Sequence, residues 1–562
     1  MTRRKIPYGI SKYSVIREEN YLYVDKTRFI EELEHVNTKY PVFLRPRRFG
    51  KSLLVSTLQY YYDRNSADRF EELFGDTYIG THKTSLANSY YVMRFDFSRL
   101  ATESEEKLIS SFAGAVMDGI IQFENRYRLG IGYNENETEP ARLISTYLSK
   151  ILPYTGEKVY IMIDEYDHFA NGMLTNRDAF TKITSKDGFV RSFYETFKMH
   201  TGSGCIDRIF ITGVTSLTLD SLTSGFNIAK NVSMFPELNE MTGFTSEEAK
   251  SLLKEIDVTN IEETMEILTE NYNGYRFHKK TENTVFNSNM VLYFLDEYQR
   301  AKAIPDQLTD PNMRSDYHKL TAMFDLFQEE DVKQAILEKI MNNESLETDI
   351  ITNFNFSAPF QEEDFLSLLF YLGLLTIKEK GQAFDVSLQT PNAVIKDIYY
   401  QYYGNYLKLT TREKRTAIAS IAFNNDFTEL DRLVGNILEL HSNDDYRGFN
   451  EARLKSVFLS CFSDQNLFLV KSEYTSEGRK IDIALFDRYG RSNDIKYNYL
   501  IELKYIKKSQ AGPEAIESVR DSACGQMKEY LNLKEFKDNQ KIKGIIYVVV
   551  KDKIVYFDEV KR

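Results

Sequence analysis

Two groups of residues in this sequence have the types and spacing needed for chemistry on phosphates. The first is Gly50-Lys51-Ser52. At the start of a helix, backbone N–H groups point at an anion, a lysine neutralises the β- and γ-phosphates, and a serine hydroxyl reaches a magnesium ion. The usual pattern GxxxxGK[ST] is broken here, because Arg45 stands where the first glycine belongs and Pro46 follows it. Arginine resists backbone angles that glycine accepts, so the loop, with Arg47 and Arg48 also facing phosphate, is expected to hold its ligand by a modified geometry. A GKS triplet also arises by chance in basic turns. About 110 residues downstream, however, an apolar run ends in Asp164-Glu165. In that arrangement the aspartate holds the magnesium shell and the glutamate polarises the attacking water. Thr212 and Ser216 close the next apolar run, where a hydroxyl can sense the γ-phosphate, although Thr-Gly at a strand end is common.

The second group lies near the C-terminus. Asp482 stands in an apolar stretch, and twenty residues later come Glu502 and Lys504, two apart. In a strand, period-two geometry sends Glu502 and Lys504 to one face while Ile501 and Leu503 face a core. Two carboxylates of this kind can hold one or two Mg²⁺ ions, which polarise a scissile phosphate and activate water, with Lys504 orienting that water. An exposed Glu–Lys pair on a half-buried strand is the bland alternative. Glu451, at a helix start, is a candidate further metal ligand, or an ordinary acid favoured by the helix dipole. Gln526 and Tyr530, four apart on one helix face, are candidate substrate contacts, or simple surface and packing residues.

The elements that must carry these residues are readable from periodicity. Strand Tyr40 to Leu44, the basic loop and a helix follow in order, the start of a βαβ unit. Strands near 90–97, 158–164 and 208–213 alternate with helices near 103–127, 139–151 and 174–200, which predicts a parallel sheet covered on both faces. This P-loop NTPase-type, AAA-like module is expected over 1–235, and a helical lid over 236–310, with Thr245 or Ser246 capping its first helix. A helical, winged-helix-like connector is expected over 311–440. Within it FLSLLFYLGLLTI, a Lys-Glu-Lys-Gly turn and FDVSL read as helix, strand, turn and strand. The remainder, 441–562, reads α-β-β-β-α-β, a compact α/β domain, so the whole chain is α/β.

Composition sets outer bounds. At 562 residues the chain exceeds one core, and 42% hydrophobic with 27% charged residues is an ordinary globular balance. No apolar run is long enough to span a membrane, and Pro7 and Tyr8 interrupt the basic start where a signal peptide needs apolar residues. A cytoplasmic location and no membrane partner are expected. Three scattered cysteines and seven histidines without zinc spacing leave oxygen ligands, hence Mg²⁺ or Mn²⁺, as the expected metal chemistry. A net charge of -12 argues against a protein that coats nucleic acid non-specifically, though not against local basic grooves.

Taken in order, Tyr23-Val-Asp-Lys-Thr27, Arg45-Pro-Arg-Arg-Phe-Gly-Lys-Ser52, Ile163-Asp-Glu-Tyr-Asp167, Thr212-Gly-Val-Thr, Phe244-Thr and Tyr272-Asn-Gly-Tyr-Arg-Phe277 give the chain a family likeness. It resembles bacterial AAA-ATPase-like proteins with a C-terminal PD-(D/E)XK nuclease domain, over nearly its full length. The resemblance implies that RPRRFGK[ST] is the family's own form of the loop. It implies ATP as cofactor, with Lys51 and Ser52 as phosphate and magnesium contacts and Asp164 and Glu165 as the acidic pair. It also implies a restriction-endonuclease-like fold in which Glu451, Asp482, Glu502 and Lys504 are metal and catalytic positions and Gln526-x-x-x-Tyr530 touches substrate. Nucleic acid, DNA in the first instance, is then the expected partner, in mobile-element or defence biology. The alternative is a regulatory or signalling NTPase whose C-terminal domain binds nucleic acid or a partner without cutting. A structural protein with a degenerate P-loop is a third reading, resting on Arg45. An AAA-like module is compatible with a homo-oligomer, but the sequence singles out no trans-acting arginine and leaves the assembly open.

Overall fold

The computed structural model describes residues 4–173, 188–217, 226–312, 324, 330–354, 360–440, 448–488 and 495–562. The first part of the expected 174–200 helix lies outside these residues. The chain divides into two compact units. One holds the residues up to Pro305 together with Glu347–Pro391, and the other is built mainly from Asn392–Arg562. Among the described residues no helix is long and apolar enough to cross a membrane.

The first unit is organised by a five-stranded parallel sheet. Its strands are β1 (Pro41–Leu44), β2 (Tyr91–Asp96), β3 (Val159–Asp164), β4 (Ile206–Gly213) and the short β5 (Lys230–Asn231), in spatial order β2-β3-β4-β1-β5. Every residue of β1 and β3 is buried, as continuous apolar runs in a doubly covered parallel sheet should be. Helix α1 (Lys51–Tyr62) follows β1 and packs Val55, Leu58 and Tyr62 against Phe43, Tyr160 and Met162. Helices α2 (Glu105–Tyr127), α3 (Pro140–Thr155) and α4 (Phe189–Gly202) complete the layers, and the rings of Phe97, Phe112 and Phe193 stack between them. The consequence for chemistry is positional: the ends of β1 and β3 lie two strands apart with β4 between them, so the basic loop and Asp164 open at the same edge.

The expected lid is only partly helical. Thr245 does cap the helix Ser246–Glu255, in a reciprocal box with Glu248. Helix Ile261–Tyr272 then ends at Asn273, and Gly274 takes φ 97°, which only glycine adopts easily. From there to Asn287 the chain turns back at 278–280, with isolated bridges pairing Tyr275 with Val285 and Phe244 with Phe286.

The expected 311–440 connector is not one body. Helix Glu362–Tyr371 and the hairpin of β7 (Thr376–Lys380) and β8 (Val386–Gln389) belong to the first unit, where a third short strand, β6 (Leu346–Thr348), joins them in the order β6-β8-β7. The hairpin is tied by the Thr376 hydroxyl, which accepts from the Arg276 N–H at 2.8 Å. A side chain at Gly274 would meet the Pro391 carbonyl at 2.0 Å, so that contact also requires glycine. The helices from Ala393 onward belong to the second unit.

The second unit carries a mixed sheet, β9 (Phe468–Ser476), β10 (Arg479–Asp487), β11 (Asn498–Ile506), β12 (Ile542–Val550) and β13 (Lys553–Val560), in order β13-β12-β11-β10-β9. Only β11 and β12 run parallel, and helix α6 (Pro513–Leu531) makes that crossover. Ile546 and Val548 face α6, while Tyr547 packs edge-on against Phe458 of helix α5 (Glu451–Cys461), so both faces are covered. The final strand was not expected, because its alternation of exposed and half-buried residues is the pattern of a solvated edge.

Candidate active sites

Between β1 and α1 the chain must turn sharply enough to aim backbone N–H groups outward. Gly50 does this with φ 87°. Lys51 is buried by the turn: its ammonium donates to the Pro46 carbonyl at 3.2 Å and lies 3.6 Å from Glu165 Oε1. The Ser52 side chain stands close enough to Asp164 to favour its charged form. Glu165 itself has φ 54°, an uncommon conformation for a glutamate, and strain of this kind is often stored where a side chain must be aimed. Around the loop is a cavity of about 270 Å³ lined by Arg48, Gly50, Lys51, Ser52 and Glu165 on its polar side and by Ile10, Leu22, Ile30 and Leu54 on its apolar side. Lys26 also lines it, paired with Glu248 at 2.6 Å. Arg47 sits half-buried on the same loop.

The residue that breaks the usual loop pattern has a different task. Arg45 is 1% exposed. Its guanidinium donates to the carbonyls of Leu44, Ser233 and Leu238 at 2.7–2.9 Å and lies over the rings of Phe43 and Phe277. Burial pulls its pKa down to about 9. Phe49 packs edge-on against Tyr275 and Phe277, and the Gly243 N–H donates to the Phe49 carbonyl at 3.2 Å. The loop is thus clamped from the side by the segment after β5 and by Tyr275–Phe277, which stands in for the constraint that glycine normally supplies. Restoring the consensus with Arg45→Gly is expected to lower the stability of this unit by about 3 kcal/mol, by leaving buried carbonyls unpaired and a void, without tightening ATP binding. Urea unfolding and a nucleotide titration of the variant check this.

Asp164 is buried, and burial raises its pKa against the opposing pull of Arg94. Arg94, from β2, donates to Asp164 Oδ2 at 2.9 Å, while Oδ1 is buried with no hydrogen-bond partner. A lone carboxylate oxygen beside the Ser52 hydroxyl fits a hard divalent ion, the oxygen-ligand chemistry of Mg²⁺. Thr212 does not face this site. Its hydroxyl donates to the Phe43 carbonyl at 2.7 Å inside the sheet, because β4 lies directly beside β1, so the γ-phosphate-sensing role expected for it has no geometric basis. Arg208, on the same strand, is half-buried and interacts with Tyr90 and Tyr160. Asp167 and Tyr166 lock the turn after β4, Asp167 accepting from the N–H groups of Val214 and Thr215 and Tyr166 donating to the Thr215 carbonyl.

In the second unit, Asp482 lies one step beyond the Ile483–Ile501 pair, which brings it beside Glu502 on the neighbouring strand. Asp482 Oδ2 accepts from the Leu503 N–H at 2.9 Å. Glu502 and Lys504 do share a face, with the ammonium 2.8 Å from Glu502 Oε1. Ile501 and Leu503 are fully buried as expected, but Glu502 is buried too, at 3% exposure, and its Oε2 has no hydrogen-bond partner among the described residues. Burial first, and then the Asp482 charge, push the Glu502 pKa up to about 7. Burial lowers the affinity of Lys504 for its proton, but Glu502, Glu451 and Asp482 outweigh that and the pKa is raised. Glu451, in the first turn of α5, reaches within 3.6 Å of Lys504.

Tyr530 is buried beside Glu502, and its hydroxyl donates to the Lys480 carbonyl at 2.9 Å, tying α6 to β10. Gln526, one turn earlier, is half-buried with its Oε1 partnerless. Two residues that the sequence did not single out also stand here. Lys455, one turn after Glu451 on α5, contacts Glu473 of β9 and lies 3.5 Å from Asp482. The i, i+4 spacing of Glu451 and Lys455 was the available signal for the lysine, as an arginine inside the apolar run of β2 was for Arg94. Among the described residues no three of His, Asp, Glu and Cys form a ready-made metal cluster. The acids here are interleaved with ammonium groups, yet the partnerless buried Glu502 oxygen beside Asp482 fits a divalent ion.

Comparison with known proteins bears on both sites. Residues 7–223 match the family described as "Predicted AAA-ATPase", AAA-ATPase-like, and residues 449–559 match the PD-(D/E)XK nuclease superfamily. A protein from Azotobacter chroococcum mcd 1, described as an uncharacterized protein in the vnfD 5' region, is 26% identical over 578 residues, covering 97% of this chain and 99% of that one. The solved ORC2 protein of Aeropyrum pernix, in ADPNP-ADP complexes, aligns with 71% of this chain and 95% of its own. That alignment has 10% identity and a TM-score of 0.25, too distant to bear on either site.

Proposed function

We propose that this chain, which joins an AAA-ATPase-like module to a domain of the PD-(D/E)XK nuclease superfamily, hydrolyses ATP in the first and cuts DNA with Mg²⁺ or Mn²⁺ in the second. The apolar side of the loop cavity suits a purine ring, and Arg48, Lys51 and the N–H groups at the start of α1 suit its phosphates. Ser52 and Asp164 would hold the magnesium, and Glu165 would position the attacking water. In the second unit Asp482 and Glu502 would hold the ion, with Glu451 as a further ligand. A divalent ion there supplies polarisation of the scissile phosphate and a bound water of lowered pKa. Lys504 would orient that water or offset charge developing on the phosphate, and Gln526 would touch the substrate. ATP would gate cutting, in a cytoplasmic role in mobile-element or defence biology.

The observation that carries the nuclease reading is the buried Glu502 carboxylate, one oxygen paired with Lys504 and the other without a hydrogen-bond partner among the described residues. A second reading, in which this domain binds nucleic acid or a partner without cutting, draws on the lysines lodged among its acids. Incubating the purified chain with single- and double-stranded DNA, and with RNA, in Mg²⁺ or Mn²⁺ and with or without ATP separates the two. Cleavage of DNA is expected, and failure to cut any of these substrates under either ion leaves only the second reading.

A further inference from the structure

Four acids, Glu451, Glu473, Asp482 and Glu502, gather where Asp482 of β10 lies beside Glu502 of β11, and three lysines, Lys455, Lys480 and Lys504, are threaded among them. Glu473 reaches this place by an unusual route. It sits in the middle of β9 with φ 57°, and the ladder pairs on either side of it, Tyr474 with Ile481 and Ser472 with Ile483, leave it opposite Asp482. A left-handed residue within a strand is disfavoured for a glutamate. Here it aims the carboxylate at Lys455 and Lys480, both of which it contacts. The side chain of Lys455 is 6% exposed, and its ammonium bridges Glu473 and Asp482.

Two properties of the cluster limit how many divalent ions fit. The first is charge. Glu451 and Lys480 reach solvent, and the three remaining carboxylates and two remaining ammonium groups sum to −1, so one divalent ion brings the buried part of the cluster to +1 and two would bring it to +3. Excess like charge in a largely buried site is strongly unfavourable, since little water screens it. The second is ligand capacity. Asp482 Oδ2 already accepts from the Leu503 N–H, Oδ1 faces Lys455, and Glu502 Oε1 faces Lys504, so each of these oxygens keeps only part of its lone-pair capacity for an ion, and Glu502 Oε2 is the buried carboxylate oxygen of this cluster with no hydrogen-bond partner among the described residues. Two-ion phosphodiesterase centres need acids that bridge both ions.

We infer that Lys455, held by Glu473, occupies the place of a second divalent ion, so that this domain uses a single ion and Lys455 is a positioning residue for Asp482. The inference rests on the nuclease reading above, and the experiment distinguishes failure of one from failure of the other. Mn²⁺ is titrated into the full chain without nucleotide, in an Asp164→Asn background that removes the ATPase module's own ligand, and bound ion is counted by electron paramagnetic resonance and calorimetry. One Mn²⁺ per chain is expected with Lys455 or with Lys455→Arg, and two with Lys455→Gln. Two ions bound with Lys455 intact overturn the single-ion inference and leave the nuclease reading standing. No bound ion overturns the metal site and with it both readings. A Lys455→Gln protein that keeps its circular dichroism and still binds one ion overturns the role given to the lysine. Should that variant fail to fold, the counts with Lys455 and with Lys455→Arg still decide the number of ions.

Discussion

Asp482→Asn abolishes metal-dependent DNA cleavage, by about 10³-fold or more, while ATP hydrolysis continues at the unmodified rate. The size follows from what the carboxylate is asked to do: a catalytic ion supplies several kcal/mol of transition-state stabilisation, and each ~1.4 kcal/mol is tenfold in rate. Asparagine is the informative replacement. It keeps an oxygen to accept the Leu503 N–H, which holds β10 and β11 together at this point, so the strand geometry survives and only the charge is lost. It also leaves Lys455 facing one acid instead of two. Following a labelled duplex over time in Mg²⁺ and in Mn²⁺, beside phosphate release from ATP in the same preparation, reads both halves of the statement. Cleavage persisting in this variant would mean that Asp482 is no metal ligand.

Lys51→Ala is the second large effect: ATP hydrolysis falls by about 10²–10³-fold, the range for removing one preorganised electrostatic group from a site where charge develops. Lys51 is already preorganised without a nucleotide, because the Pro46 carbonyl and Glu165 hold its ammonium in a buried position. Alanine retains the helix start, so the loop clamped by Arg45 and Phe49 is expected to keep its shape and the unit its stability. Steady-state phosphate release measures the loss, and a thermal shift with Mg²⁺ and ATP shows whether binding goes with it. Undiminished hydrolysis would move the catalytic site away from this loop. Cleavage assayed in the same variant, with and without ATP, reports whether the two activities are linked.

The parts of this protein that were legible in the sequence are those fixed by short spacings. Gly50-Lys51-Ser52 must open a helix after a buried strand, and Glu502 and Lys504 must share a face of β11, because helix and strand periods are local properties of the chain. Asp164 and Asp482 were legible for a related reason: a carboxylate at the end of or within an apolar run is costly unless something uses it. What tertiary structure alone decided are the partners across long separations. Arg45 looks like a defect in the phosphate loop until the carbonyls of Ser233 and Leu238, nearly two hundred residues away, are brought around it. Thr212 looks like a sensor until β4 is laid beside β1 and the Phe43 carbonyl takes its hydroxyl. Lys455 and Glu473 carry no signature of their own, since an ammonium acquires its meaning from the acids that folding places next to it. Local backbone geometry determines which residues face the same way. Only the packing of distant segments determines what they face.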